Sequence, residues 1–264
     1  MGDDNKLKKL EKHLQEPLWK PDENRIRNTN LTSFINDVEK DWNIQLGNFE
    51  KLYDFSIKEQ DKFWISLINF TDLIAETWGN TVQKNPGCMP GTKFFPNAQL
   101  NFAENLLRRR DNHDAIVFNG ENRVFYRLTY ADLYNQVSKL RQALISHGLS
   151  PGDRVAGYLP NIPEAVIAML ATTSIGAVWS SCSPDFGTQG VLERFGQIKP
   201  KIFFAAEGYY YNGKSHDCLG KIGEILQKLP SVIKTIIISY TCKDPKIDNI
   251  NNAIMLGDMI NQYT

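Results

Sequence analysis

Residues 176–214 read GAVWSSCSPDFGTQGVLERFGQIKPKIFFAAEGYYYNGK. Within them, residues 177–181 predict a strand, 189–197 a helix and 201–205 a second strand. The same rhythm continues on both sides. Residues 155–159 predict a strand and 162–175 a helix with Pro163 in its first turn; 219–229 follow as a helix and 232–239 as a β-rich strand. Strands joined by helices of this length pair in parallel through right-handed crossovers. The fold class expected is therefore α/β: a helical N-terminal extension, then part of a doubly wound, mainly parallel sheet. Ligands of such sheets collect at the carboxyl ends of the strands. That rule puts residues 160–161, 183–187 and 207–214 on the functional rim.

Upstream, residues 115–118 and 123–127 flank Asn119-Gly120-Glu121-Asn122, a hairpin signal. Thr129 is expected to cap a helix from Tyr130 to about His147 with Asp132 as its N3 acid, and Gly148 to end it. Residues 101–110 read as a helix closed by Arg108, Arg109 and Arg110, whose cations complement the helix dipole and stay solvated. Residues 19–79 read as helical and aromatic-rich. Asn30 is expected to cap a helix burying Leu31, Phe34, Ile35 and Val38, and Ser56 with Glu59 has the spacing of a capping box. Behind it, Phe63, Trp64, Leu67, Ile68 and Phe70 form an apolar stripe that reads as core. Residues 85–96 are a Gly/Pro-rich connector. The expected domains are a helical extension at 1–95 and an α/β part at 96–264. Leu7, Leu10 and Leu14 predict a short amphipathic helix at the N-terminus.

The 264 residues hold 30 Lys plus Arg against 30 Asp plus Glu, so the formal net charge is zero. No nucleic-acid partner is expected from that balance. No apolar run approaches the roughly 20 residues a membrane span needs, and the charged N-terminus lacks the apolar core of a signal peptide. The four cysteines are widely spaced, without a C-x-x-C, and read as reduced thiols of a cytoplasmic protein. His216 and Cys218 have no second ligand pair, so no metal site is expected.

Two rim segments carry candidate chemistry. In Ser181-Cys182-Ser183-Pro184-Asp185-Phe186-Gly187, Ser183 or Asp185 can cap the following helix, or the turn and the helix end can form an anion site. In the segment from Glu207 to Lys214, Tyr209, Tyr210 and Tyr211 precede Asn212-Gly213-Lys214. A tyrosine face stacks an adenine and an ammonium pairs with a phosphate; alternatively the segment is an exposed loop with one packed tyrosine.

Leu128-Thr129-Tyr130-Ala131-Asp132-Leu133 and Ala171-Thr172-Thr173-Ser174-Ile175-Gly176-Ala177-Val178 resemble the first two motifs of adenylate-forming enzymes, the ANL superfamily. Residues 95–108 (FPNAQLNFAENLLR), 179–194 (WSSCSPDFGTQGVLER) and 211–214 (YNGK) resemble the acetoacetyl-CoA synthetases within it. The resemblance covers nearly the whole chain from Pro17 and implies its N-terminal part. It implies a two-step ligase whose substrates are acetoacetate, ATP and CoA, with Mg²⁺ accompanying ATP. Acetoacetyl-AMP and pyrophosphate form first, and the CoA thiol then displaces AMP.

The first step needs a Ser/Thr/Gly-rich phosphate loop and a catalytic lysine. Neither a Thr-Ser-Gly-Thr-Thr-Gly run nor a Gly-x-x-x-x-Gly-Lys-Ser/Thr run occurs in these residues; Gly187-Thr188-Gln189-Gly190 comes nearest and lacks the lysine. No catalytic residue is assigned, and the chain alone is expected to be inactive. CoA differs. Matching Glu207-Gly208 to the Glu-Gly of acyl-CoA synthetases sets Lys214 at their second CoA-binding arginine and Tyr210 or Tyr211 at the first. Ser183, Asp185 and Phe186 fall where the family packs the adenine, with Pro184-Asp185 replacing its Gly-Gly. Two other readings stand beside the synthetase: a shortened paralogue binding CoA or adenine weakly, and a folding fragment that self-associates through an uncovered sheet edge.

Overall fold

A computed structural model describes Pro17 and residues 19–121 and 123–263. The helix expected at Leu7–Leu14 lies outside these residues. The chain divides into two compact units, residues 1–99 and 100–264.

Among its described residues the first unit packs four helices: α1 (Glu23–Arg27), α2 (Asn30–Trp42), α3 (Phe49–Lys58) and α4 (Gln60–Phe70). Phe34, Ile35, Val38, Leu46, Leu52 and Phe55 are its buried core, with Phe63, Leu67 and Phe70 packed against them. Two expected caps are corrected. Thr29, not Asn30, caps α2; its extended backbone lets the hydroxyl accept from the Thr32 amide at 3.2 Å. Leu31 consequently lies outside the buried stripe, 44% exposed. Ser56 starts no helix. It sits within α3, its hydroxyl donating to the Tyr53 carbonyl at 2.7 Å, while Asn48 caps α3 through the Lys51 amide. Residues 85–92 connect β1 (Gln83–Lys84) to antiparallel β2 (Lys93–Phe94).

The second unit begins with α5 (Phe102–Leu106), antiparallel β3 (Asp114–Gly120) and β4 (Val124–Thr129), and α6 (Tyr130–Ser146). Thr129 and Asp132 form the expected capping box. The helix before the three arginines is shorter than expected. Arg109 and Arg110 fold onto α6 instead, their guanidinium carbons 4.6 Å from the Tyr130 ring centre and 3.8 Å from that of Tyr134. Cation–π contact and the Arg109–Asp111 bond at 2.7 Å replace the solvated helix terminus.

The rest alternates: β5 (Arg154–Tyr158), α7 (Pro163–Ser174), β6 (Val178–Cys182), α8 (Thr188–Ile198), β7 (Ile202–Ala206), β8 (Gly208–Tyr211), β9 (Lys214–Asp217), α9 (Leu219–Gln227), β10 (Lys234–Ile238), β11 (Ala253–Met255) and α10 (Leu256–Ile260). Five of these strands form one parallel sheet in the order β11-β10-β7-β5-β6. Numbered by appearance, that is the doubly wound order 2-1-3-4-5. Apolar residues of α6 and α7 fill one face, and those of α8 and α9 the other. Ile202–Ala206 is buried at every position, which explains an apolar run without alternation. Among the described residues β6 bonds only to β5, so its outer edge is free.

Candidate functional site

In the order 2-1-3-4-5 the crossover from β5 runs to β6 on one side and that from β7 to β10 on the other, so the switch point, where ligands of such sheets gather, lies at the carboxyl ends of β5 and β7. Three segments meet there: the end of β5 at Tyr158, the turn after β6, and the chain leaving β7 at Glu207.

Glu207 is 2% exposed. Among the described residues no lysine or arginine pairs with it; its carboxylate is instead surrounded by donors of the loop after β10. Oε2 accepts from the Tyr240 amide at 2.7 Å. Oε1 accepts from the Cys242 amide at 2.6 Å, the Thr241 hydroxyl at 2.8 Å and the Thr241 amide. Gly208 follows because the loop comes too close for a side chain. A Cβ there would lie 2.6 Å from the Thr241 hydroxyl and 2.7 Å from the His216 carbonyl. The Glu-Gly pair thus anchors the rim.

What sequence reading took as a loop from Glu207 to Lys214 is a β-hairpin. Tyr211 pairs with Lys214 across Asn212 and Gly213, which both have positive φ, at 49° and 73°. Asn-Gly is the signature of such a turn, and it was the signal available in the sequence. Strand alternation then divides the three tyrosines. Tyr209, Tyr211, Lys214 and His216 share one face, where the Tyr209 and His216 rings stack at 4.9 Å. Tyr210 points the other way, its ring 5.3 Å from that of Tyr240 and 5.0 Å from the Arg123 guanidinium. Tyr210 is therefore structural packing on the opposite face from Lys214. Tyr211 is 66% exposed and Lys214 is also exposed, so both face solvent.

The turn after β6 is held from below. The buried Tyr158 hydroxyl donates to the Pro184 carbonyl at 2.6 Å, with the Phe186 carbonyl 3.0 Å away. Burial pushes the Tyr158 phenol well above its ordinary pKa. Ser183 and Asp185 do not cap α8. Gly187 holds the N-cap position with φ −67° and ψ 159°, and no side chain bonds the helix end. Asp185 is exposed, and its charge, after burial and Cys218, helps raise the Tyr209 phenol pKa. The turn and the Tyr209–Tyr211 face are thus electrostatic neighbours. Arg194 lies 4.3 Å from the Phe186 ring centre, covering one ring face with a cation that sequence reading had not singled out.

Burial pushes the nearby thiols of Cys182 and Cys218 each up to about 11, which disfavours the nucleophilic thiolate near neutral pH. Among the described residues no three His, Cys, Asp or Glu side chains gather to hold a metal ion. Nor is any helix among them long and apolar enough to cross a membrane. A hollow of about 340 Å³ lies at the carboxyl ends of β10 and β11, lined in part by Glu164, Ser239, Lys243, Asp244 and Asp258. Its Glu164 accepts from the Tyr126 hydroxyl at 2.9 Å.

A family model described as AMP-binding enzyme matches residues 102–253. The acetoacetyl-coenzyme A synthetase of Rhizobium meliloti (strain 1021) is 40% identical over 247 residues, 93% of this chain and 38% of its own length. That of Xenopus tropicalis is 35% identical over 249 residues, 92% of this chain and 37% of its own. The solved structure of the Streptomyces lividans acetoacetyl-CoA synthetase matches with a TM-score of 0.85 at 36% identity, over 93% of this chain and 38% of that one. The chain thus spans about 38% of the length of these relatives.

Proposed function

Because the chain belongs to the AMP-binding enzyme family, we propose that it forms the first part of the large adenylating domain of an acetoacetate–CoA ligase and supplies part of its CoA channel wall. The parent reaction joins acetoacetate and CoA at the expense of ATP, through acetoacetyl-AMP and pyrophosphate. One observation carries the CoA assignment: Tyr211 and Lys214 share the solvent-facing side of a hairpin that follows β7 at the β5/β7 switch point, on the same face as Tyr209, which feels the charge of Asp185 in the turn after β6. Lys214 would meet the 3′-phosphate as a point charge, and Tyr211 or Phe186 would stack the adenine. Phe186 has one face left for it, since Arg194 covers the other.

The 264 residues contain no phosphate loop ending in lysine, so ATP and Mg²⁺ are assigned to the parent enzyme and none of these residues is given a catalytic role. The chain alone should show no acetoacetate-dependent exchange of pyrophosphate into ATP; observing that exchange would refute this part. CoA should bind at about millimolar affinity, because one charge and one stack do little more than offset the cost of association. Lys214→Ala should weaken CoA severalfold and leave dephospho-CoA, which lacks the 3′-phosphate, unaffected. Equal losses for both ligands would remove Lys214 from the site. We assign the protein to the cytoplasm, a reading supported by its four unpaired thiols.

A second reading has its own observation. The free edge of β6 is a template for another strand, so the isolated chain should self-associate. A monomeric mass by light scattering across concentrations would count against it.

A further inference from the structure

We propose that Glu121 and Arg123, in the turn joining β3 to β4, are positioning residues that set where Tyr211 and Lys214 point. The proposal rests on the CoA reading above and adds residues well outside the rim segments. Glu121 Oε1 accepts from the Asn212 amide and Oε2 from the Gly213 amide, each at 2.9 Å. Arg123 Nη2 donates to the Gly213 carbonyl at 2.6 Å. The turn of one hairpin therefore grips the backbone of the other at its tip, immediately before Lys214.

A free two-stranded hairpin is marginally stable in water, and β8–β9 has only four residue pairs. Its root is fixed by Glu207 and Gly208. Its tip places two successive amides in left-handed conformation, a concavity that suits an anion, and the Glu121 carboxylate fills it. Tyr240 ties both ends together. Its amide bonds Glu207, its ring packs on Tyr210, and its hydroxyl sits where a Cβ on Gly120 would overlap it. A slip of one residue at the tip would turn Tyr211 and Lys214 to the wrong face. Neither Glu121 nor Arg123 needs to touch the ligand to control it.

Simple electrostatics predicts the opposite of positioning, and that separates the two. Glu121 is an anion near Lys214, so Glu121→Ala leaves the site more positive and should tighten binding of CoA if charge alone matters. As a positioning residue its loss should weaken CoA binding about tenfold. Two readouts are needed on the full chain: CoA titration, and hydrogen exchange of the Asn212 and Gly213 amides. Glu121→Ala should speed exchange at both amides at least tenfold, with little change at β7. Arg123→Lys, which keeps the charge and loses the planar fork, should weaken CoA less than Glu121→Ala does. Unchanged or tighter CoA binding in Glu121→Ala overturns the proposal, as do two amides that stay protected. If the unmodified chain never saturates with CoA, the CoA reading fails and the ligand half of this proposal with it. Amide exchange then still decides whether the clamp exists.

Discussion

Glu207→Gln is nearly isosteric, yet it should be among the most damaging substitutions in the second unit. Four donors converge on the two carboxylate oxygens: the Tyr240, Thr241 and Cys242 amides and the Thr241 hydroxyl. With its oxygen at the Oε1 position, glutamine keeps three of them and turns its own NH₂ toward the Tyr240 amide, donor against donor. Leaving that buried donor unpaired costs about 1–3 kcal/mol. The three remaining bonds lose charge assistance, about half their strength. Burying a neutral amide instead of a carboxylate gives part of this back. The net loss expected is about 3 kcal/mol, a large fraction of an ordinary domain's 5–15 kcal/mol. With a urea dependence of about 2 kcal/mol per M, the midpoint of the second unit should fall by roughly 1.5 M. Urea titration of the full chain, followed by amide exchange at Thr241 and Cys242, measures it. A midpoint unchanged at equal slope would mean that water already serves these donors, and the account of Glu207 as the anchor of the rim would be wrong.

Two further outcomes follow from geometry. Tyr158→Phe removes the hydroxyl beneath the turn after β6, leaving the buried Pro184 carbonyl unpaired; thermal unfolding should register a loss of about 1–2 kcal/mol, and no loss would show the turn holds itself. Asp153 accepts from Lys201 Nζ at 2.8 Å and from the Ser150 amide at 2.9 Å, and the Lys201 bond above all lowers its pKa below the ordinary 3.8. A carboxylate depressed in the folded state stabilises above its unfolded pKa and loses that contribution as pH falls through the folded value. Asp153→Asn should therefore cost about 1 kcal/mol at pH 7, with the difference from the unmodified chain shrinking below about pH 4. A penalty that stays constant into acid would assign the effect to shape rather than charge.

The βαβ rhythm was legible because each of its signals is local. Pro163 opens α7, Thr129 and Asp132 close a capping box, and the run Ile202–Ala206 has no polar side to show. The rim at the carboxyl ends of the strands follows from that rhythm by topology alone. Cap positions were less legible where two capping residues adjoin: the extended backbone of Thr29 decides against Asn30, and Gly187 against Asp185. A local window registers the residue types but not which of them adopts that conformation. β11 was missed since Ala253-Ile254-Met255 is too short to show a period and is held by pairing with β10. The hairpin was within reach through Asn212-Gly213, but the tyrosines and lysine around it drew a ligand reading of the whole segment. The fate of Tyr210 was not legible at all, because its partners Arg123 and Tyr240 lie far away in sequence.

Because successive residues of the β8–β9 ribbon face opposite ways, inheritance of shape and inheritance of chemistry are separable along it. Positions 209, 211, 214 and 216 form one set; 208, 210, 215 and 217 form the other. The second set carries the contacts with Tyr240, Thr241 and Arg123 that keep the ribbon in place. Within the first set Tyr209 packs against the core and stacks on His216, which leaves Tyr211 and Lys214 as the exposed pair. Drift at those two can retune charge and stacking without refolding the rim, and a library confined to them would sample new cargo on an unchanged frame.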